Sequence, residues 1–251
     1  MFDLTGRTVV VTGGSRGIGL GLARGVARGG ARVAVWARDL AGSETACSEL
    51  EKLGAETLAV RCDVSNEDDV ARALAETLDR FERVDVCFAN AGTSGAGDPL
   101  KMSLEEWHRV LGVNLDGTFL TFRDVGRHMV ERGGGGKLIA VSSMVELFGS
   151  PMQVHYAASK GGVGCLVRSL AVRLARYDIQ VNSIQPGWIE TKLTEPGYTN
   201  QKFSDVIVGR TPAHRWGDGT DVEGVAAYLA STESRFHTGD TLRIDGGYSI
   251  F

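Results

Sequence analysis

The chain reads as an α/β protein: one doubly wound, mostly parallel sheet of seven strands with helices on both faces. Three observations predict it. Short β-branched runs alternate with helix-period segments from end to end, as crossover-connected parallel strands require. The first strand is a continuous apolar run rather than an alternating one, as expected where helices cover both faces of a sheet. No Pro-rich linker, charge block or shift of composition divides the 251 residues, so 1–251 is read as one domain.

Residues 7–12 are β-branched and apolar between Gly6 and Gly13, and predict a buried strand. Thr12-Gly13-Gly14-Ser15-Arg16-Gly17-Ile18-Gly19 follows, then a helical pattern through Leu20, Leu22, Ala23, Val26 and Ala27. A glycine-rich turn between a strand and a helix start exposes backbone N–H groups at the positive end of the helix dipole. That is an anion site suited to a pyrophosphate. Gly13, Ser15, Arg16, Gly17, Ile18 and Gly19 are its candidate contacts.

The second strand, 32–36, leads to the position that reads an adenosine ribose in a dinucleotide fold. Ala37 stands where an acid would bind the 2′-OH of NAD. Arg38 follows, and Arg16 projects from the glycine loop, so two guanidiniums converge on one site. Asp39 lies about 20 residues past the loop, where an NAD-binding acid is expected, but it also suits the N-cap of the next helix. Two cations against one carboxylate favour NADP(H) over NAD(H).

A helix over 40–53, a strand over 57–62 closed by Asp63-Val64, and a helix over 66–81 capped by Ser65 or Asn66 continue the alternation. Asp63 is placed either as an acceptor for an adenine amino group or as a turn residue. A strand over 84–89 ends in Asn90-Ala91-Gly92, small enough for backbone to approach a cofactor. One long helix is predicted over 103–131, with Asn114 inside it as a local irregularity. Gly133 to Gly136 form a turn, and a strand over 137–141 delivers Ser142 and Ser143. A helix over 154–177 and a buried strand over 179–184 lead to Pro186, Gly187, Trp188, Ile189 and Thr191. Residues 192–210, with Pro196 and Gly197, show weak periodicity and are read as a mobile substrate lid with a short helix. A helix over 221–231 and a strand over 241–244 complete the chain.

Composition excludes other classes. Glycine, at 34 residues, is about twice the usual ~7% share, which fits tight turns rather than disorder because Pro numbers only five. The net charge is −4, and Lys and Arg are scattered, so neither nucleic acid nor an anionic membrane surface is the expected partner. No apolar run approaches the ~18–20 residues of a membrane span. The expectation is a cytoplasmic protein whose cysteines (Cys47, Cys62, Cys87 and Cys165) are buried free thiols. No His/Cys/carboxylate group has metal-ligand spacing.

Tyr156 and Lys160 stand four residues apart in a helical segment, which puts both on one face with Cβ atoms roughly 5–6 Å apart. An ammonium held near a phenol favours the phenolate and draws its pKa toward the working pH of a general acid–base. Ser143 lies where a hydroxyl could hold a substrate oxygen beside the tyrosine. The pair alone is weak, since chance places roughly 0.1 such Tyr/Lys pairs in this composition.

Taken together, the glycine loop 12–19, Asp63-Val64, Asn90-Ala91-Gly92, Asn114, Ser143, Tyr156-Ala-Ala-Ser-Lys160, Pro186-Gly187 with Thr191, and Asp245-Gly246-Gly247 resemble the classical short-chain dehydrogenase/reductase family, a Rossmann-type fold. The likeness covers essentially the whole chain. It implies that Tyr156 is the general acid/base and that Lys160 depresses its pKa and binds the nicotinamide ribose. It implies further that Ser143 holds the substrate oxygen and that Asn114 anchors a water relaying protons from Lys160. Ile189 and Thr191 would fix the nicotinamide carboxamide. A homotetramer or dimer is implied as well.

The leading reading is an NADP(H)-dependent oxidoreductase interconverting a carbonyl and an alcohol on a small molecule. The alternatives are an NAD-linked alcohol or polyol dehydrogenase, a 3-oxoacyl carrier-protein reductase, and a dinucleotide-binding regulator without turnover. Glu131 and Val172 stand where a carrier-protein reductase would place basic residues. Ser94, Met144, Glu146, Phe148, Gln153 and Trp188 are the expected substrate-pocket residues.

Overall fold

The computed structural model describes residues 2–251. Its seven strands are β1 (Thr8–Thr12), β2 (Arg32–Ala37), β3 (Thr57–Arg61), β4 (Val86–Ala89), β5 (Gly136–Val141), β6 (Ile179–Pro186) and β7 (Thr241–Ile244). They form one sheet in the order β3-β2-β1-β4-β5-β6-β7 with every pair parallel. The helices are α1 (Gly17–Arg28), α2 (Leu40–Glu51), α3 (Glu67–Phe81), α4 (Leu104–Leu111), α5 (Gly117–Arg132), α6 (Val154–Leu174), α7 (Glu195–Tyr198), α8 (Gln201–Arg210) and α9 (Glu223–Ala230).

The strand period of two divides the core. Val9 and Val11 pack with Leu22 and Val26 of α1, Leu50 of α2 and Ala226 of α9. Val10, between them in sequence, joins Val70 of α3, Phe122 and Val125 of α5 and Val163 of α6 on the opposite face. All three valines are fully buried, and each contributes roughly 1.5–3 kcal/mol on leaving water. Strand order reverses direction between β1 and β4, which opens a crevice at the C-terminal ends of those two strands.

Helix starts differ in how their free N–H groups are met. Asn66 caps α3 by accepting from the Asp69 N–H at 2.9 Å, and Glu67, Asp68 and Asp69 fill the first turn. At α1, by contrast, Arg16 makes no side-chain cap and the first turn holds no acid. Its N–H groups and dipole are left for something else to satisfy.

The helical stretch over 103–131 opens locally at Asn114, as expected: α4 runs through a wide π turn over Gly112–Asp116 into α5. Two expectations need correction. Residues 192–210 are mostly helical, as α7 and α8, because Asn200 caps the second helix through the Phe203 N–H. Cys165 is exposed, on the outer side of α6, whereas Cys47, Cys62 and Cys87 are buried free thiols. Burial pushes the Cys62 thiol up to about 12, so it is inert.

Candidate active site

The crevice is a cavity of about 810 Å³. One end is built by the loop between β1 and α1. Gly13 and Gly17 hold φ of +63° and +55°, open to glycine and strained for other residues. A Cβ on Gly19 would overlap the Gly13 carbonyl and the Asn90 amide, so only glycine lets α1 start this close to the strand ends. Asn90 fixes the loop, since its Nδ2 donates to the Thr12 and Gly13 carbonyls at 2.9 and 3.1 Å. The Thr12 hydroxyl accepts from the Asn90 and Ala91 N–H groups in return. The uncapped α1 N-terminus therefore faces a rigid, glycine-walled cradle, which fits a pyrophosphate.

Gly13, Ser15, Arg16, Gly17, Ile18, Gly19, Arg38, Asp63, Val64, Asn90, Ala91, Gly92, Pro186, Gly187, Ile189 and Thr191 all line this one cavity, with Ser143, Tyr156 and Lys160. Beyond β2, Arg16 and Arg38 are exposed and have no side-chain partner among the described residues. Asp39 also lines the cavity, but its carboxylate is committed to capping α2 through the Gly42 N–H at 3.1 Å. Asp63 accepts from Ser65 through both its N–H and its hydroxyl.

At the other end, α6 sets Tyr156 and Lys160 one turn apart, with the ammonium 5.8 Å from the ring centre. Lys160 is 4% exposed and donates to the Val141 carbonyl at 2.7 Å. Burial lowers its pKa to about 8, against the opposing pull of the Glu146 carboxylate. Burial also raises the Tyr156 pKa, and a hydrogen bond with Ser143 offsets part of the rise. This differs from the expected lysine-lowered phenol: the ammonium donates to the Val141 carbonyl, and burial is the largest influence on the tyrosine.

Asn114 does not line the cavity; it stands behind it, fully buried in the π turn. Its Oδ1 accepts from the Thr93 N–H at 2.8 Å, and its Nδ2 donates to the Thr93 carbonyl and the Ser159 hydroxyl. It thus ties the loop after β4 to α6. A Cβ on Gly92 would lie 3.4 Å from the Asn114 Oδ1 and 3.7 Å from the Lys160 Nζ, so these groups abut.

Of the expected substrate-pocket residues, Ser94, Met144, Gln153 and Trp188 line the cavity, and Glu146 and Phe148 do not. Glu146 turns into the protein to accept from Ser142 and Gln185, while Phe148 packs under the Arg210 guanidinium and against Tyr248. Gln153 donates to the Ser94 hydroxyl at 2.9 Å, giving one polar wall. The opposite wall is apolar: Leu193, Pro196 and Phe203 from 192–210 join Trp188, whose ring meets that of Phe203 edge-on at 5.4 Å. Sequence reasoning missed Thr93, Leu193, Phe203 and the Val141 carbonyl. The apolar Leu193 and Phe203 in a stretch already read as a lid were the available signal, and a main-chain carbonyl leaves none. Among the described residues no cluster could hold a metal ion.

A phenol, a hydroxyl and an ammonium thus share one cavity with an anion cradle. The chain is similar to known proteins along nearly its whole length. The profile of the family described as enoyl-(acyl carrier protein) reductase matches residues 13–249. The 5-keto-D-gluconate 5-reductase of Escherichia coli strain K12 is 35% identical over 250 residues, covering all of this chain and 98% of the relative. An L-rhamnose 1-dehydrogenase (NAD(P)(+)) of Sphingomonas sp. strain SKA58 is 36% identical over 98% of each chain. The crystal structure of a gluconate 5-dehydrogenase from Burkholderia cenocepacia J2315, in complex with NADP and tartrate, superposes with a TM-score of 0.94 at 36% identity. It covers 100% of this chain and 98% of its own.

Proposed function

The chain belongs to the short-chain dehydrogenase/reductase family and is an NAD(P)-dependent oxidoreductase, and on that premise we propose that it uses NADP(H) to interconvert a small polyhydroxylated ketone or aldehyde and its alcohol. One observation carries the reading: Tyr156, Ser143 and Lys160 line the same cavity as the glycine cradle. A proton donor and a nucleotide then meet at one substrate.

The nicotinamide, when bound, supplies or accepts the hydride. Tyr156 gives its phenolic proton to the carbonyl oxygen as that oxygen becomes an alkoxide, and takes it back in the reverse direction. Ser143, which lines the same cavity as the phenol, holds the same oxygen and aligns it. Lys160, one turn away, is the cation that steadies the phenolate left behind. Asn114 holds the loop and helix that position them, which matters because alignment alone supplies several kcal/mol of barrier reduction.

NADP(H) is supported by Arg16 and Arg38, both free for a 2′-phosphate, while Asp39 is occupied as a cap. The polar wall of Ser94 and Gln153 beside Ser143 suits hydroxyl groups, and several relatives are named for gluconate and rhamnose. A carrier-protein reductase is less favoured: the positions where basic docking residues are expected hold exposed Glu131 and Val172. Assembly into a homotetramer or dimer, a lid role for 192–210 and a cytoplasmic location remain part of the proposal. No helix of the described residues is long and apolar enough to cross a membrane.

The test is a panel of 5-keto-D-gluconate, L-rhamnose, an acetoacetyl thioester and simple aryl ketones, assayed with NADPH, NADH and their oxidised forms. Turnover of a sugar-type substrate with NADP(H) is expected. A preference for the thioester would replace the substrate class, and no turnover of the sugar-type substrates with either cofactor would overturn it.

A further inference from the structure

Glu146 has been turned away from the substrate cavity, yet three elements hold it in place. Ser142, at the end of β5, donates its hydroxyl to one carboxylate oxygen, and the same hydroxyl lies 3.5 Å from the Lys160 carbonyl on α6. Gln185, on β6, donates to that same oxygen at 3.1 Å. The third contact is steric: a Cβ on Gly164 would overlap the other carboxylate oxygen, so α6 carries glycine one turn beyond Lys160 where the carboxylate lies against it. An acid is thus packed between the Ser142-Ser143 turn and the helix bearing Tyr156 and Lys160.

We propose that Glu146 is a positioning residue for proton transfer: it keeps the buried Lys160 charged and holds its helix against the Ser142-Ser143 turn. The proposal rests on the proton-donor reading of Tyr156. The surroundings of Lys160 leave little else for the task. From its own helix it faces the Tyr156 ring; from β5 the Val141 carbonyl; from the loop after β4 Gly92 and, behind it, the neutral Asn114 amide. Glu146 is the charged side chain that acts on it across space, and it favours the ammonium against the cost of burial. Without it the ammonium would lose its proton at lower pH, and the phenolate formed as Tyr156 donates would lose its cation.

The experiment compares Glu146→Gln, Glu146→Asp and Gly164→Ala. Glu146→Gln keeps the shape and the acceptor for Ser142 but removes the charge. In carbonyl reduction, its alkaline limb of kcat is expected to move to lower pH, with a loss of roughly three- to tenfold at pH 8 and little change in substrate KM. Gly164→Ala, which displaces the carboxylate, is expected to shift the limb the same way, and the double variant to add little to either single change. Glu146→Asp should restore part of the loss. The ε-carbon resonance of Lys160, followed by NMR in protein labelled with ε-13C lysine and assigned with Lys160→Met, reads its titration with no turnover needed. A Lys160 midpoint and an alkaline limb both unmoved in folded Glu146→Gln would overturn the proposal and leave the proposed reaction standing. A missing activity in the parent protein with a shifted midpoint would instead indict the reaction.

Discussion

The Lys160 ammonium donates to the main-chain carbonyl of Val141 at 2.7 Å, so the cation beside the Tyr156 ring is anchored to the end of a central strand. Burying this ammonium costs stability. The Lys160 pKa falls from 10.5 to about 8 on folding, so the unfolded chain binds the proton more tightly. The penalty is therefore full below pH 8 and is relieved as pH rises from about 8 to 10.5, where only the unfolded state still holds the proton.

Lys160→Met should remove that penalty, on the order of 3 kcal/mol, less about 1–2 kcal/mol for the orphaned Val141 carbonyl. The expected result at pH 7 is a variant melting roughly 2–6 °C higher than the parent, with kcat down by about 100-fold or more. Melting curves of both proteins from pH 7 to 10 should also show the variant's advantage shrinking as pH rises past 8, while Lys137 and the buried thiols contribute alike to both. A variant that melts lower at every pH would show that the buried charge is not a burden.

Gly19→Ala tests the cradle. Its new Cβ has only the Gly13 carbonyl and the Asn90 amide to displace, and both belong to the network that shapes the loop. Overpacking of this kind costs about 1–3 kcal/mol. A fall in melting temperature, with NADPH bound roughly tenfold or more weakly by fluorescence titration, is the expected pair of results. Unchanged affinity would place the nucleotide elsewhere.

Arg38→Ala and Asp39→Ala separate cofactor choice from helix capping. Removing a charge-assisted contact worth about 1.5–3 kcal/mol should raise the KM for NADPH by roughly 10- to 100-fold and leave that for NADH within about twofold. Asp39→Ala should instead cost about 1 kcal/mol of stability, as a lost N-cap does, without improving NADPH over NADH. Equal losses for both cofactors in Arg38→Ala would contradict the NADP(H) assignment.

Asn114→Ala unties the loop after β4 from α6. It leaves the Thr93 N–H without an acceptor and its carbonyl without a donor, at about 1–3 kcal/mol for the orphaned groups. Lower melting temperature and a kcat loss exceeding the change in KM are expected, because the residue lies behind the cavity and ties Thr93 to Ser159 of α6.

Much of this molecule can be read before folding it. The βα alternation, the strand-loop-helix context of Gly13 to Gly19 and the four-residue spacing of Tyr156 and Lys160 are local patterns, and local patterns survive in sequence. What escaped is long-range or lacks a side-chain signature. Asn114 marks where the helix opens, but the partners of its amide, Thr93 and Ser159, lie 21 and 45 residues away and leave no local trace. Helices α7 and α8 are hidden by Pro196 and Gly197, which sit inside the four-residue α7 rather than breaking it. Val141 acts through its carbonyl, which any residue would offer. Glu146, three residues past Ser143, looks like a pocket residue in sequence, but Gln185 and the space beside Gly164 hold it inward. The exposure of Cys165 depends on which side of α6 remains uncovered, and α6 is too evenly apolar to declare it.

The most direct check on the central claim is single-turnover reduction by Tyr156→Phe, with NADPH and the best substrate from the panel, beside a measurement of NADPH affinity. Phenylalanine keeps the ring and the packing and deletes only the hydroxyl proton. Nucleotide binding within a few-fold of the parent and a reduction rate lower by about 100-fold or more are expected for a proton donor. A rate close to that of the parent, with the nucleotide still bound, would show that the proton comes from somewhere else.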